Sequence, residues 1–233
     1  MSETPDGSPH QSSAAAIVTG YIGLMGAHWN RLLILFAIGW ALTALTMVVQ
    51  VNVIGYDPKD MRMFLQASLL PIAFLTGAAA QATLWGVPGD RLSVCLDVAS
   101  RAFLPLLAIT VITRIAISFG LVALVLPGFA LSMLFGLSAV IMIAERPTIL
   151  TALRESVMRV WRNFGAVLVS YIVYLISLLV LAFVSAFAGA IIAAFLPGAL
   201  DSQVVGGAMT AIFSLSHTVF AVAIYKVISG AEI

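Results

Sequence analysis

FLPLLAITVITRIAISFGLVALVLPGFALSMLFGLSAVIMIA, residues 103–144, holds a single charged side chain, Arg114. A helix rises about 1.5 Å per residue, so about 20 apolar residues cross the roughly 30 Å hydrocarbon layer of a bilayer, and this run is about twice that length. Leu126-Pro127-Gly128 interrupts it. Pro lacks a backbone donor and Gly tolerates left-handed dihedrals, so the triplet suits a tight turn at a membrane face. The stretch therefore reads as two spans, Phe103–Val125 and Phe129–Ala144.

Working outward, Arg31–Val53, Met63–Val87, Phe164–Phe195 and Val204–Ile228 are also long and apolar enough to cross, which makes six spans. Leu196-Pro197-Gly198 repeats the turn triplet between the last two. Composition agrees: 62% of the 233 residues are hydrophobic and 9% are charged, whereas a soluble domain carries about a quarter charged residues. The formal charge of +1, with no basic run interleaved with aromatics, leaves no electrostatic footprint for nucleic acid. Cys95 is the one cysteine, and no Cys/His cluster has metal-ligand spacing, so no disulfide, metal or cofactor is expected. Residues 1–13, MSETPDGSPHQSS, read as a disordered tail ahead of a single membrane domain, 14–233. Glu3 and Asp6 occupy the place where a cleaved signal peptide carries positive charge, so the first span is expected to act as its own signal.

Basic loops are retained in the cytoplasm. With both termini inside, Arg31, Arg91, Arg101, Arg146, Arg154, Arg159, Arg162 and Lys226 fall on the cytoplasmic side, against Lys59 and Arg62 outside. That sets the expected orientation.

Four of those cationic residues lie in AERPTILTALRESVMRVWRNF, 144–164. There Ile149, Leu150, Leu153, Val157, Val160 and Trp161 recur at helical spacing, with Thr151, Arg154, Glu155, Arg159 and Arg162 on the other side. This is the pattern of an amphipathic helix lying in the membrane surface, with Pro147 in its first turn, its arginines reaching anionic lipid phosphates and Trp161 at the interface. Arg146, Arg154, Arg159, Trp161 and Arg162 are thus candidate lipid contacts; a solvated helix under the bundle or a protein-binding helix has the same two-faced pattern. Aligning His28–Leu33 and Ser100–Pro105 with Trp161–Ala166 places a similar element before spans one, three and five. In the middle copy Leu92, Cys95, Leu96 and Ala99 form the apolar side and Arg91, Asp97 and Arg101 the polar one. The chain then reads as three units, 14–89, 90–147 and 148–230, each an interfacial helix followed by a two-span hairpin; because a unit holds an even number of spans, the copies share one orientation.

Leu126-Pro127-Gly128, the span ending in Glu145, Ala152-Leu153-Arg154-Glu155-Ser156 and Trp161-Arg162 resemble the six-span membrane domain found fused to some bacterial glycerophosphoryl diester phosphodiesterases and related stand-alone bacterial membrane proteins. The resemblance implies a fold and a bacterial inner-membrane location. It implies no activity, since the family's soluble phosphodiesterase domain has no counterpart here. Arg146-Pro147 departs from a pattern that often places a small residue after Glu145.

Three intramembrane polar residues are candidates for chemistry. Arg114 lies well inside the third span, where an Arg costs about 2.5 to 3.5 kcal/mol on insertion scales unless it finds a partner, a wet cavity or a snorkelling route to the face. His217 lies mid-span with Ser214, Ser216 and Thr218 nearby, and Gln81 is a possible neighbour; such groups relay protons or hold ligands, and they also bond between helices with no further purpose. Ala182, Ala186, Ala190 and Ala194 form a small-residue packing seam, within one chain by default. No Gly-x-Ser-x-Gly elbow, His-Glu-x-x-His or phosphate-cradling glycine loop is present. The sequence thus suggests a non-catalytic module contacting membrane lipids or a protein partner, or alternatively a small transporter or channel using Arg114 and His217.

Overall fold

A computed structural model describes residues 13–49, 68–84, 92–123, 125–195 and 202–230. Residues 1–12 of the polar tail, the first external loop, Arg91, the second Leu-Pro-Gly triplet and the side chains of the alanine seam beyond Ala182 lie outside the described part.

The described residues form helices and no strand: α1 Ala14–Ala27, α2 Trp29–Val49, α3 Leu69–Leu84, α4 Leu92–Arg101, α5 Phe103–Ala123, α6 Val125–Phe135, α7 Ser138–Glu145, α8 Ile149–Arg162, α9 Phe164–Phe195 and α10 Ser202–Ser229. Helices are what such a sequence must form, since apolar surroundings leave backbone groups no partners but each other. Among the described residues, four helical stretches are long and apolar enough to cross a membrane: Trp29–Thr46, Phe103–Gly120, Leu126–Glu145 and Ala208–Ser229. A fifth is the pair α8–α9, bent by 97°. Of the span expected over Met63–Val87, the described part is the 16-residue α3; the rest lies outside the described residues. Outward-facing Phe119, Leu179 and Phe183 are at least 70% exposed, an apolar exterior suited to lipid.

The core lies around α3 and α10. Ala73, Ala78, Ala79, Ala80 and Ala82 of α3 are fully buried, and these small side chains let α2, α4, α5, α7 and α10 close in around it. At Gly77 a side chain would meet Leu106 Cδ1 at 2.7 Å and the Ala99 backbone at 3.2 Å, so glycine is needed where α3 passes the α4–α5 junction.

Three expectations change. Leu126-Pro127-Gly128 is the first turn of α6 and not the turn between helices. Pro127 needs no donor there, and Gly128 serves close packing against Gly120 in place of a left-handed bend. Thr148, not Pro147, begins α8: its side chain caps the helix by accepting from the Thr151 N–H at 3.4 Å, and Pro147 stands outside it. Finally, α1 differs from the other two elbow helices, because Ile17, Gly20 and Leu24 are buried and the helix packs along α9 and α10. It carries no charged residue to hold it at an interface.

The three elbows themselves recur. Single residues, His28, Ala102 and Asn163, separate α1 from α2, α4 from α5 and α8 from α9. Each passes the helical ladder on in the same way: Leu32, Leu106 and Val167 donate to the carbonyls of His28, Ala102 and Asn163 at about 3.0 Å. By this geometry His28 corresponds to Asn163, two positions from the register that aligns His28 with Trp161.

Candidate functional site

On α5, Ile109, Thr110, Thr113, Arg114 and Ile117 recur at spacings of three and four and share one face. That face lines a cavity of about 470 Å³ bounded by α3, α6, α7, α9 and α10 as well. His217 of α10 lines the same cavity, so the two titratable side chains singled out in the sequence share one space. Ser68, Thr76, Ser132, Ser138, Thr210, Ser214 and Thr218 add hydroxyls to its walls, and no carboxylate lines it among the described residues. Arg114 Nη1 donates to Ser68 Oγ at 3.3 Å, which ties α5 to the start of α3. The cavity therefore presents cationic and hydrogen-bonding groups against apolar walls, a combination that favours a ligand with anionic or acceptor oxygens.

An aromatic floor holds His217. Tyr171 and Tyr174 of α9 flank its ring at centroid distances of 6.3 and 6.1 Å. Phe220 stacks on Tyr174 at 4.3 Å, and Tyr21 of α1 packs edge-on against both. The Tyr21 hydroxyl lies 2.8 Å from Ser216 Oγ, so α1 helps set the position of α10. Tyr171 donates to the Ser132 carbonyl at 3.4 Å, just before the break between α6 and α7 at Gly136 and Leu137. Sequence reasoning missed both tyrosines. Their spacing of three puts them on one face of α9, a signal readable only once His217 is known to lie opposite.

Thr113 Oγ1, Ser214 Oγ and the Tyr174 hydroxyl are buried without a hydrogen-bond partner among the described residues. Each such group costs about 1 to 3 kcal/mol unless something satisfies it, and all three belong to residues lining the cavity. Gln81 is half-buried and is not among the residues that line the cavity.

The five candidate lipid contacts divide into three groups. Arg159 turns inward: Nη1 and Nη2 meet Glu145 Oε1 and Oε2 at 2.6 and 3.0 Å, the Tyr225 hydroxyl donates to Oε1 at 2.9 Å, and the guanidinium lies 5.7 Å from the Tyr225 ring centroid. This knot joins α7, α8 and α10 at the elbow end. Arg154 and Arg162 are exposed, and Trp161 is 69% exposed beside Phe164. Arg146 lies apart, lining a second cavity together with Arg101. On α8, Ala152, Leu153, Ser156 and Val160 face the bundle, with Leu150 and Trp161 on one flank and Thr151 and Arg162 on the other. Ser156 Oγ donates to the Leu134 carbonyl at 2.6 Å, pinning the helix beneath α6.

Compared with protein-family models, with curated proteins and with solved structures, the chain finds no match in any of the three.

Proposed function

We propose that this is a six-span inner-membrane protein that binds and passes a small anionic or acceptor-rich solute through the cavity between α5 and α10, without catalysis. The observation that carries this reading is the convergence of Arg114 and His217 on one hydroxyl-lined space. The guanidinium brings positive charge to this space, and the hydroxyls of Thr113 and Ser214, unpartnered among the described residues, offer hydrogen bonds to a ligand. The six spans include α2, α3, α5, α6 with α7, α9 and α10, arranged as three hairpins with both termini cytoplasmic. This order agrees with the resemblance to the bacterial phosphodiesterase-linked membrane domain, and with it a bacterial inner membrane.

Flux of radiolabelled small organic anions into proteoliposomes tests the reading. Uptake by the intact chain, lost at least tenfold in Arg114→Gln and reduced in His217→Gln, supports it. Full flux in both variants refutes it.

A second reading rests on a separate observation: Arg154 in mid-α8, Arg162 and Trp161 at its elbow and, at the first elbow, the 53% exposed Trp29 are displayed on the surface. Interfacial tryptophans beside unburied arginines suit a lipid-gripping or partner-holding module. Weaker co-sedimentation of Arg154→Gln/Arg162→Gln protein with anionic lipid, at unchanged flux, would separate this role from transport.

A further inference from the structure

A second cavity, of about 460 Å³, opens at the elbow end between the α4–α5 junction and the end of α7. Arg101, Arg146 and Asp97 line it. Arg101 Nε donates to Asp97 Oδ1 at 3.0 Å while Nη2 lies 2.9 Å from Oδ2, so one carboxylate grips one edge of the guanidinium and fixes its plane. The opposite edge, with Nη1, is left for a ligand. The Arg146 side chain makes no hydrogen bond or ion pair among the described residues. Its backbone, at φ 52° and ψ 41°, is the one left-handed non-glycine conformation among them, and it ends α7. A glycine is the usual occupant of such a site. Here a guanidinium stands in its place, at the rim of a cavity.

Two guanidiniums against one carboxylate leave net positive charge and unfilled donors. The remaining wall is apolar, with Pro105, Met142, Ile143 and Pro147 among its residues. Leu104, adjacent on α5, is 73% exposed, so the cavity borders the surface at which lipid-facing side chains begin. A polyoxygen anion attached to an apolar body matches both halves of this site.

We propose that the Arg101–Arg146 pocket binds a phosphate group, supplied by the headgroup of an anionic phospholipid whose glycerol and first methylenes rest on Pro105, Met142 and Ile143. The site is independent of the solute cavity and of the exposed arginines of α8. Full-length protein in phosphatidylcholine nanodiscs is exposed either to phosphatidylglycerol or to inorganic phosphate, and retained lipid is read by native mass spectrometry beside the thermal unfolding midpoint. One tightly retained phosphatidylglycerol and a raised midpoint are expected, with retention weakened about tenfold or more in Arg101→Gln and Arg146→Gln and unchanged in Lys226→Gln. Arg146→Gly removes the guanidinium while suiting the left-handed backbone, so its loss of lipid cannot be put down to misfolding. Stabilisation by inorganic phosphate alone would keep the phosphate site and overturn the lipid assignment. Equal retention by the intact chain and the Arg101 and Arg146 variants, or no response to either ligand, overturns the proposal.

Discussion

Gly120 and Gly128 bring α5 and α6 into backbone contact: a Cβ built on Gly120 would stand 2.8 Å from both the Cα and the N of Gly128. Neither atom can yield without moving a helix. Gly120→Ala should therefore destabilise the protein by about 1 to 3 kcal/mol, as overpacking in a close-packed interior does. Gly165→Ala is the control, since nothing lies within 4 Å of a Cβ there and alanine favours the helix. Thermal unfolding in detergent checks the pair; a Gly120→Ala midpoint equal to that of the parent would show that the hairpin has slack.

Glu145 is held from two sides, by Arg159 of α8 and Tyr225 of α10. With side chains 25% and 35% exposed, the ion pair is partly screened, so Arg159→Ala should cost about 1 to 2 kcal/mol and Tyr225→Phe about 1 kcal/mol. Because the three groups form one network, the double variant should lose less than the sum. Strict additivity in a double-mutant cycle would mean the contacts act separately.

What was legible in the sequence was what hydrophobic length and periodicity encode. The helices, the amphipathic α4 and α8 and the weak, uncharged first copy all follow from local pattern. Side-chain company did not follow. Arg159 shares its spacing with Arg162, yet one folds back onto Glu145 and the other stays outside; only the placement of α7 decides between them. Arg114 and His217 stood out because polar groups are costly among apolar neighbours, whereas Tyr171 and Tyr174, amphipathic and common in membrane helices, did not. Gln81 stood out for the same reason as Arg114, but the rotation of α3 turns Ser68, Ile72 and Thr76 to the cavity instead.

Cys95 offers a probe of the α3–α4 contact. Its side chain is 2% exposed, and burial raises its thiol pKa, a trend that nearby Arg31 opposes. The reactive thiolate is thus both scarce and shielded. Folded protein should react with maleimide much more slowly than denatured protein at the same pH. Labelling at the denatured rate would show that α4 separates from α3 in solution.

His28 makes the first elbow sensitive to pH. Burial, followed by the charges of Arg31 and Lys226, holds its pKa below the ordinary 6.5. The unfolded chain therefore binds a proton more readily than the folded one. Stability is fully present above about pH 6.5 and falls as pH drops through that value towards the lower folded pKa. His28→Gln removes the proton site, so its unfolding midpoint should change less between pH 7 and pH 5.5 than that of the parent chain. The comparison cancels groups common to both proteins, so parallel curves would mean that protonation at the α1–α2 junction has no cost and that Arg31 and Lys226 do not act on it.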